Sequence, residues 1–147
     1  MSALPRGRRA LFLVITILSL AGMIDSGIAF QRHFAKSATT YCDFSQKFSC
    51  DIVNRSEYST ILGIPVALIG VVGYAVLAVL STAQKSHLAT VNRILIAALA
   101  GLTFALYLTY VEAYLLNTWC ILCLISLALI FLISGVAVVL KLRRGEA

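Results

Sequence analysis

Four long apolar runs constrain this chain more than any other feature: residues 10–30, 62–80, 94–116 and 118–140. At 1.5 Å per residue, each is long enough to cross the roughly 30 Å hydrocarbon core of a bilayer as a helix. The sequence therefore predicts an all-α membrane protein: a bundle of four transmembrane helices forming a single domain over 1–147. One long outer connection, 31–61, joins the first two spans. Composition agrees. The chain is 61% hydrophobic and 12% charged, and a soluble domain would carry about twice that charged fraction.

The net charge of +6 does not point to nucleic acid, because the basic residues sit at the ends of the apolar runs rather than on one soluble face. With four spans the termini share a side. That side carries Arg6, Arg8, Arg9, Lys85, Arg93, Lys141, Arg143 and Arg144. The other side carries Arg32, Lys36, Lys47 and Arg55, in a loop balanced by Asp43, Asp51 and Glu57. Eight against four puts both termini in the cytoplasm and the long loop on the outer, periplasmic face of a cell membrane. A cleaved signal peptide is the alternative for the first run, which is longer than a signal core and lacks a clear small-x-small site.

The chemistry is in Trp119-Cys120-Ile121-Leu122-Cys123. Cysteines three apart are one helical turn apart, about 3.6 residues, and can close a disulfide or open to a dithiol. Only Asn117, Thr118 and Trp119 separate them from the preceding run, so the turn is tight and the pair lies in the first turns of the last helix. Cys42 and Cys50 lie in the outer loop, so all four thiols reach an oxidising face where disulfides persist. Taken alone, Cys42 and Cys50 make a structural disulfide, worth roughly 2.5 kcal/mol, and Cys120 and Cys123 a pair of buried thiols. A zinc site competes, but His33 has no partner histidine and an oxidising face disfavours thiolate ligation. Two pairs on one face suit a relay: one exchanges with a soluble partner, the other with an oxidant in the lipid, each step a thiolate attacking a disulfide. A lipid quinone is such an oxidant, held in an aromatic-rich cleft at the outer ends of the spans.

Several other residues are candidates for that cleft. Ser56 lies on a segment, Asp51 to Tyr58, that reads as a short helix capping the cleft, with its hydroxyl a donor to a quinone oxygen. Its alternative is a plain capping or surface serine. Tyr110 and Tyr114 lie in the outer half of the third span, where tyrosines usually form an interfacial belt. Glu112 lies eight residues before Cys120, about one turn below the end of its helix. Asp25, inside the first span, is either a functional acid, or one that snorkels toward the interface or bonds to a neighbouring helix. Pro65 falls in the first turn of the second span, and Gly63, Gly70 and Gly73 permit close approach of a helix or a flat ligand.

The chain resembles the vitamin K epoxide reductase family in its small bacterial form. The resemblance is carried by Tyr41-Cys42-Asp43, Ser49-Cys50-Asp51, Ser56 six residues after Cys50, Gly63-Ile64-Pro65, Tyr107-Leu108 and Trp119-Cys120-Ile121-Leu122-Cys123, and covers roughly 10–140. It implies a four-helix bundle around a quinone (ubiquinone or menaquinone), with the loop as a lid. It also implies that Cys120 and Cys123 are the active centre and Cys42 and Cys50 the shuttle pair. On that pattern Cys42 meets the partner protein, Cys50 exchanges with Cys120, Cys123 faces the quinone, and Ser56 lies near it. Some animal members carry a Thr-Tyr-Ala stretch linked to anticoagulant sensitivity, where this chain has Ser126, Leu127 and Ala128. Bacterial members are often fused to a thioredoxin-like domain. This chain ends at Ala147, so a separate thioredoxin-like, DsbA-type protein is the expected partner.

The expected function is thus a quinone-dependent thiol-disulfide oxidoreductase supporting disulfide formation. The rival from another class is a non-enzymatic four-span protein, an assembly factor or small transporter subunit, with two structural disulfides. A DsbB-type enzyme would carry its Cys-x-x-Cys in the first outer loop, the reverse of the order here.

Overall fold

A computed structural model describes residues 4–34, 43–83 and 88–145. Helix α1 runs Arg6–Phe34. Two short strands, β1 Asp43–Ser45 and β2 Phe48–Ser49, pair antiparallel and lead into α2, Cys50–Asn54. A 3-10 turn, Glu57–Ser59, precedes a second hairpin of β3, Thr60–Ile61, and β4, Ile64–Pro65. Helices α3, Val66–Thr82, and α4, Leu88–Tyr110, follow. A π turn, Val111–Leu116, extends α4, and α5 is Ile121–Gly145.

The helices alternate in direction. Thr16 bonds Ser81 at 2.8 Å, Gly22 lies under Tyr74, and Ser26 lies against Gly70. As the α1 number rises the α3 number falls, so the two are antiparallel. At the other end of the bundle Arg8 Nη2 donates to the Arg143 carbonyl at 3.0 Å, which joins the start of α1 to the end of α5.

Each helix buries one stripe at alternating three- and four-residue steps, the spacing of a packed bundle. On α1 it is Phe12, Ile15, Ser19, Gly22, Ser26 and Ala29, and on α5 Ile130, Ile133, Ala137 and Leu140. The stripe is rich in Ser and Gly, while Ile17 and Ile24 stand about two-thirds exposed, at 64% and 66%. Small and polar residues inside with large aliphatics outside is the pattern of helices packing in lipid, where close backbone approach rather than water exclusion drives association.

Three helices are long and apolar enough to cross a membrane: Arg6–Phe34, Leu88–Leu116 and Ile121–Gly145. The expected second span, 62–80, opens differently. Its first residues form the β3–β4 hairpin, whose tip residues Leu62 and Gly63 have φ of 53° and 80°. That places the turn in the left-handed region favoured for two-residue hairpins, and it accounts for Gly63. Pro65, φ −59°, is the cap before α3 rather than a residue of its first turn. Helix α3 is 17 residues long, the short limit for a span. The other expected boundaries widen: α1 takes in Arg6–Arg9 and Arg32, α4 begins at Leu88 instead of 94, and α5 begins at Ile121 and continues to Gly145. The helix expected over Asp51–Tyr58 is split, with a break at Arg55 and Ser56.

A Cβ at Gly22 would fall 2.4 Å from the Tyr74 ring, whereas one at Gly27 would meet nothing within 4 Å. Gly22→Ala should therefore destabilise the fold by about 1–3 kcal/mol through overpacking, and Gly27→Ala should be neutral or slightly stabilising. Denaturation in mixed detergent micelles measures both, and equal stability of the two variants would contradict the packing described here.

Candidate functional site

The loop is tied to the bundle at the turn before α5. Asn117 ends the π turn in the left-handed conformation, φ 48°, with its N–H on the Glu112 carbonyl. The chain then reverses through Thr118 and Trp119, as tightly as their number requires. Trp119 N donates to Lys47 O at 2.7 Å, and Ser49 N donates to Trp119 O at 3.1 Å, so β2 lies parallel to this turn. Cys50 and Cys120 each come one residue after these bonds and share a fully buried cluster with Ala29 and Leu122, with Cys123 packed against it. Cys50 is in a disulfide; Cys120 and Cys123 are free thiols. Cys42 lies outside the described residues.

Cys120 is not inside α5. It is the residue before it, its carbonyl accepting from Leu124 N at 3.1 Å, while Cys123 is in the first turn. The two thiols have different surroundings. Cys120 shares a buried cluster with the loop cysteine, and Cys123 lines a cavity of about 400 Å³, within the range of small-molecule sites, ~300–1,000 Å³. The cavity wall is mostly apolar, drawn from all four long helices, with Val53, Asn54, Ser56 and Tyr58 of the loop over its outer end.

Glu112 belongs to this cavity. It is 1% exposed, its Oε2 accepts from the Cys120 backbone N–H at 3.1 Å, and its carboxyl neighbours the Cys123 thiol. Its Oε1 has no hydrogen-bond partner among the described residues. Ser56 also lines the cavity, but its hydroxyl donates to Val53 O at 2.8 Å, so its proton is committed and the expected donor role is corrected. The available donor is Asn54. Its carbonyl binds the His33 ring at 2.5 Å, and its Nδ2 is buried without a partner among the described residues. The other correction concerns Tyr110 and Tyr114. Their rings form a tilted pair with centroids 5.0 Å apart, outside the cavity wall and 55% and 71% exposed. These rings lie away from the cavity, whereas Phe104 and Tyr74 line it.

Sequence spacing gave no sign of Asn54. It lies on the turn that carries Ser56, and only its buried, unpaired amide singles it out. The same holds for the clamp that closes the loop. Arg32, 5% exposed at the outer end of α1, donates to Asp51 Oδ1 at 2.9 Å and lies 3.7 Å from Asp43. Asp43 Oδ1 in turn accepts from Ser49 Oγ at 2.7 Å and from Asp51 N at 3.4 Å, fixing the start of α2 and with it Cys50.

Arg32→Ala should loosen this loop. Losing even about 1.4 kcal/mol of closure raises the open population tenfold. Maleimide labelling of the buried Cys120 in folded protein should then be at least about tenfold faster than in wild type. An unchanged rate would remove Arg32 as the clamp.

Compared with models of known protein families, residues 13–138 match the vitamin K epoxide reductase family. No curated protein matches the chain. The family match covers most of the chain and falls on three membrane-capable helices. The chain belongs to the vitamin K epoxide reductase family and is a membrane oxidoreductase of that quinone-associated group.

Proposed function

We propose that this protein is a quinone-dependent thiol-disulfide oxidoreductase that takes electrons from a separate thioredoxin-like, DsbA-type protein and supports disulfide formation. The observation that carries the reading is the division of the Cys-x-x-Cys pair: Cys120 lies in one buried cluster with disulfide-bonded Cys50, and Cys123 lines the apolar cavity. A relay needs one sulfur toward each exchange partner, and this pair has it.

Cys42 and Cys50 are the shuttle pair, with Cys42 receiving the partner's thiolate. Reduced Cys50 then attacks a Cys120–Cys123 disulfide at Cys120, which leaves Cys123 as the thiolate beside the cavity, and Cys42 attacks Cys50 in turn, restoring the Cys42–Cys50 disulfide and releasing Cys120 as a thiol. A lipid quinone, ubiquinone or menaquinone, supplies the two-electron oxidant when bound. As the Cys120–Cys123 disulfide re-forms, two electrons and two protons leave the thiols. Glu112 holds the Cys120 backbone through Oε2 and offers the unpaired Oε1 as the first acceptor for a thiol proton. Asn54 donates through Nδ2 to the outer ring oxygen. Ser56, bonded to Val53, keeps the α2 turn in place over the cavity.

In the membrane, all four long helices cross, α3 at the short limit of length, within a single domain over 1–147. The loop 43–65 caps the quinone site on the outer, periplasmic face, and both termini lie in the cytoplasm, the side favoured by the eight-to-four excess of basic residues.

Cys123→Ala should abolish quinone reduction, read as the loss of quinone absorbance change with reduced partner, while the protein keeps its thermal stability. An active variant would overturn the assignment of the acceptor sulfur. Cys42→Ala should retain quinone reduction by a small dithiol and lose oxidation of a thioredoxin-like partner by at least about a hundredfold. Equal losses with the two reductants would contradict the shuttle.

A further inference from the structure

The inner end of the cavity holds an acid that the relay leaves unused. Asp25 is nine residues before the end of α1, about 13 Å below it at 1.5 Å per residue, and only 7% exposed. Its carboxyl lines the cavity. No described residue hydrogen-bonds or ion-pairs with it, so bonding to a neighbouring helix does not account for it. The groups around it are fixed. Tyr74 sits on Gly22, Ser26 sits against Gly70, and the Tyr74 hydroxyl is held by Ser126 at 2.9 Å. Ser126 is three residues beyond Cys123, about one turn deeper on α5. A Cβ at Gly73 would meet nothing within 4 Å, so this stretch of the cavity wall, which Gly73 shares with Asp25 and Cys123, is left open.

Resting on the reading of the cavity as a quinone site, the geometry points to Asp25 as the second polar contact of the quinone head group and as its intramembrane proton donor. A para-quinone ring carries oxygens at opposite ends. Asn54 of the loop, Glu112 of the π turn and Asp25 all line the cavity; Asp25, about 13 Å below the end of α1 at 1.5 Å per residue, marks the end away from the loop. An ionised carboxylate without a partner is expensive in an apolar wall, whereas the acid form donates a hydrogen bond. Asp25 holds the inner ring oxygen through that proton and hands it over on reduction. The balance closes with the dithiol: two thiols lose two electrons and two protons in forming the disulfide, the ring gains two of each, and one thiol proton refills Asp25.

The test separates binding from chemistry. In a Cys123→Ala protein, which cannot turn over, the rise in melting temperature with decylubiquinone reports affinity. Adding Asp25→Ala should weaken binding about tenfold, the loss of roughly one hydrogen bond to a buried acid. Asp25→Asn, which keeps a donor, should bind within about threefold of its parent. In otherwise wild-type protein with pre-reduced thiols, Asp25→Asn should slow single-turnover quinone reduction about a hundredfold, the usual scale for a lost proton donor. Its reduction by dithiothreitol without quinone should be unchanged. Unaltered affinity in Asp25→Ala, or an unaltered single-turnover rate in Asp25→Asn, would overturn the proposal. Absence of any decylubiquinone binding to the Cys123→Ala protein would instead overturn the quinone-site reading and the role of Asp25 with it.

Discussion

The two hydrogen bonds between Trp119 and the segment Lys47–Ser49 set the geometry of the loop over the helix bundle. They are backbone bonds in a parallel arrangement, and in parallel pairing both chains advance together. One step past the bonded residues lies Cys50 on one chain and Cys120 on the other. The two cysteines are therefore placed in one buried cluster by register rather than by side-chain fit. A slip of one residue would point the cysteine to the opposite side of its strand. Both helices that follow, α2 and α5, begin at this junction, so the same bonds also set where Asn54 overhangs the cavity and where Cys123 enters it.

That register needs a loop held down against thermal opening, and the means is a buried charge. Arg32 continues the inward stripe of α1 beyond Ala29 and is neutralised by two aspartates of the loop. A buried ion pair is weak evidence for net stability, because desolvation offsets much of the attraction. Its effect lies in selectivity. Any loop arrangement that separates Arg32 from Asp43 and Asp51 strands a charge, so the closed arrangement is favoured over near alternatives even where its total energy is ordinary. The ring of contacts through Ser49, which bonds Asp43 and also caps α2 by accepting from Ile52 N, transmits that constraint to Cys50.

The sequence was most informative where local rules are strong. Apolar run length identified the long helices, and three residues between Leu116 and Cys120 forced the tight turn, realised by the left-handed Asn117. Cysteine spacing singled out Cys120 and Cys123, which the fold packs together at the start of α5. Legibility failed where sidedness decides. Tyr110 and Tyr114 share a helix with Glu112, yet they face outward and Glu112 inward, because a helix that is apolar on all sides gives no periodic signal of its inner face. Ser56 was found for its position, but the direction of its hydroxyl depends on where Val53 O lies, a matter of turn geometry. Leu62 looked like the start of a span because apolar runs of helix and hairpin read alike; the left-handed pair at Leu62 and Gly63 decided for the hairpin.

Small residues link the packing of the bundle to its chemistry. Gly22 and Gly70 let α1 and α3 approach closely enough for Tyr74 and Ser26 to fill the gap, and that contact locks the inner wall. Gly73, on the same helix, has no side chain to close the space beside it. A helix pair lined by leucines would bury more surface and leave no room for a flat ring. Van der Waals contacts are individually about 0.1–0.2 kcal/mol, so keeping about 400 Å³ of space next to Cys123 forgoes many of them, and the unpaired atoms of Asn54 and Glu112 add a further cost. A ligand that is flat, apolar on its faces and polar at its edges recovers all three losses at once. The features that make this bundle less than optimally packed are therefore the same ones on which the proposed quinone site rests.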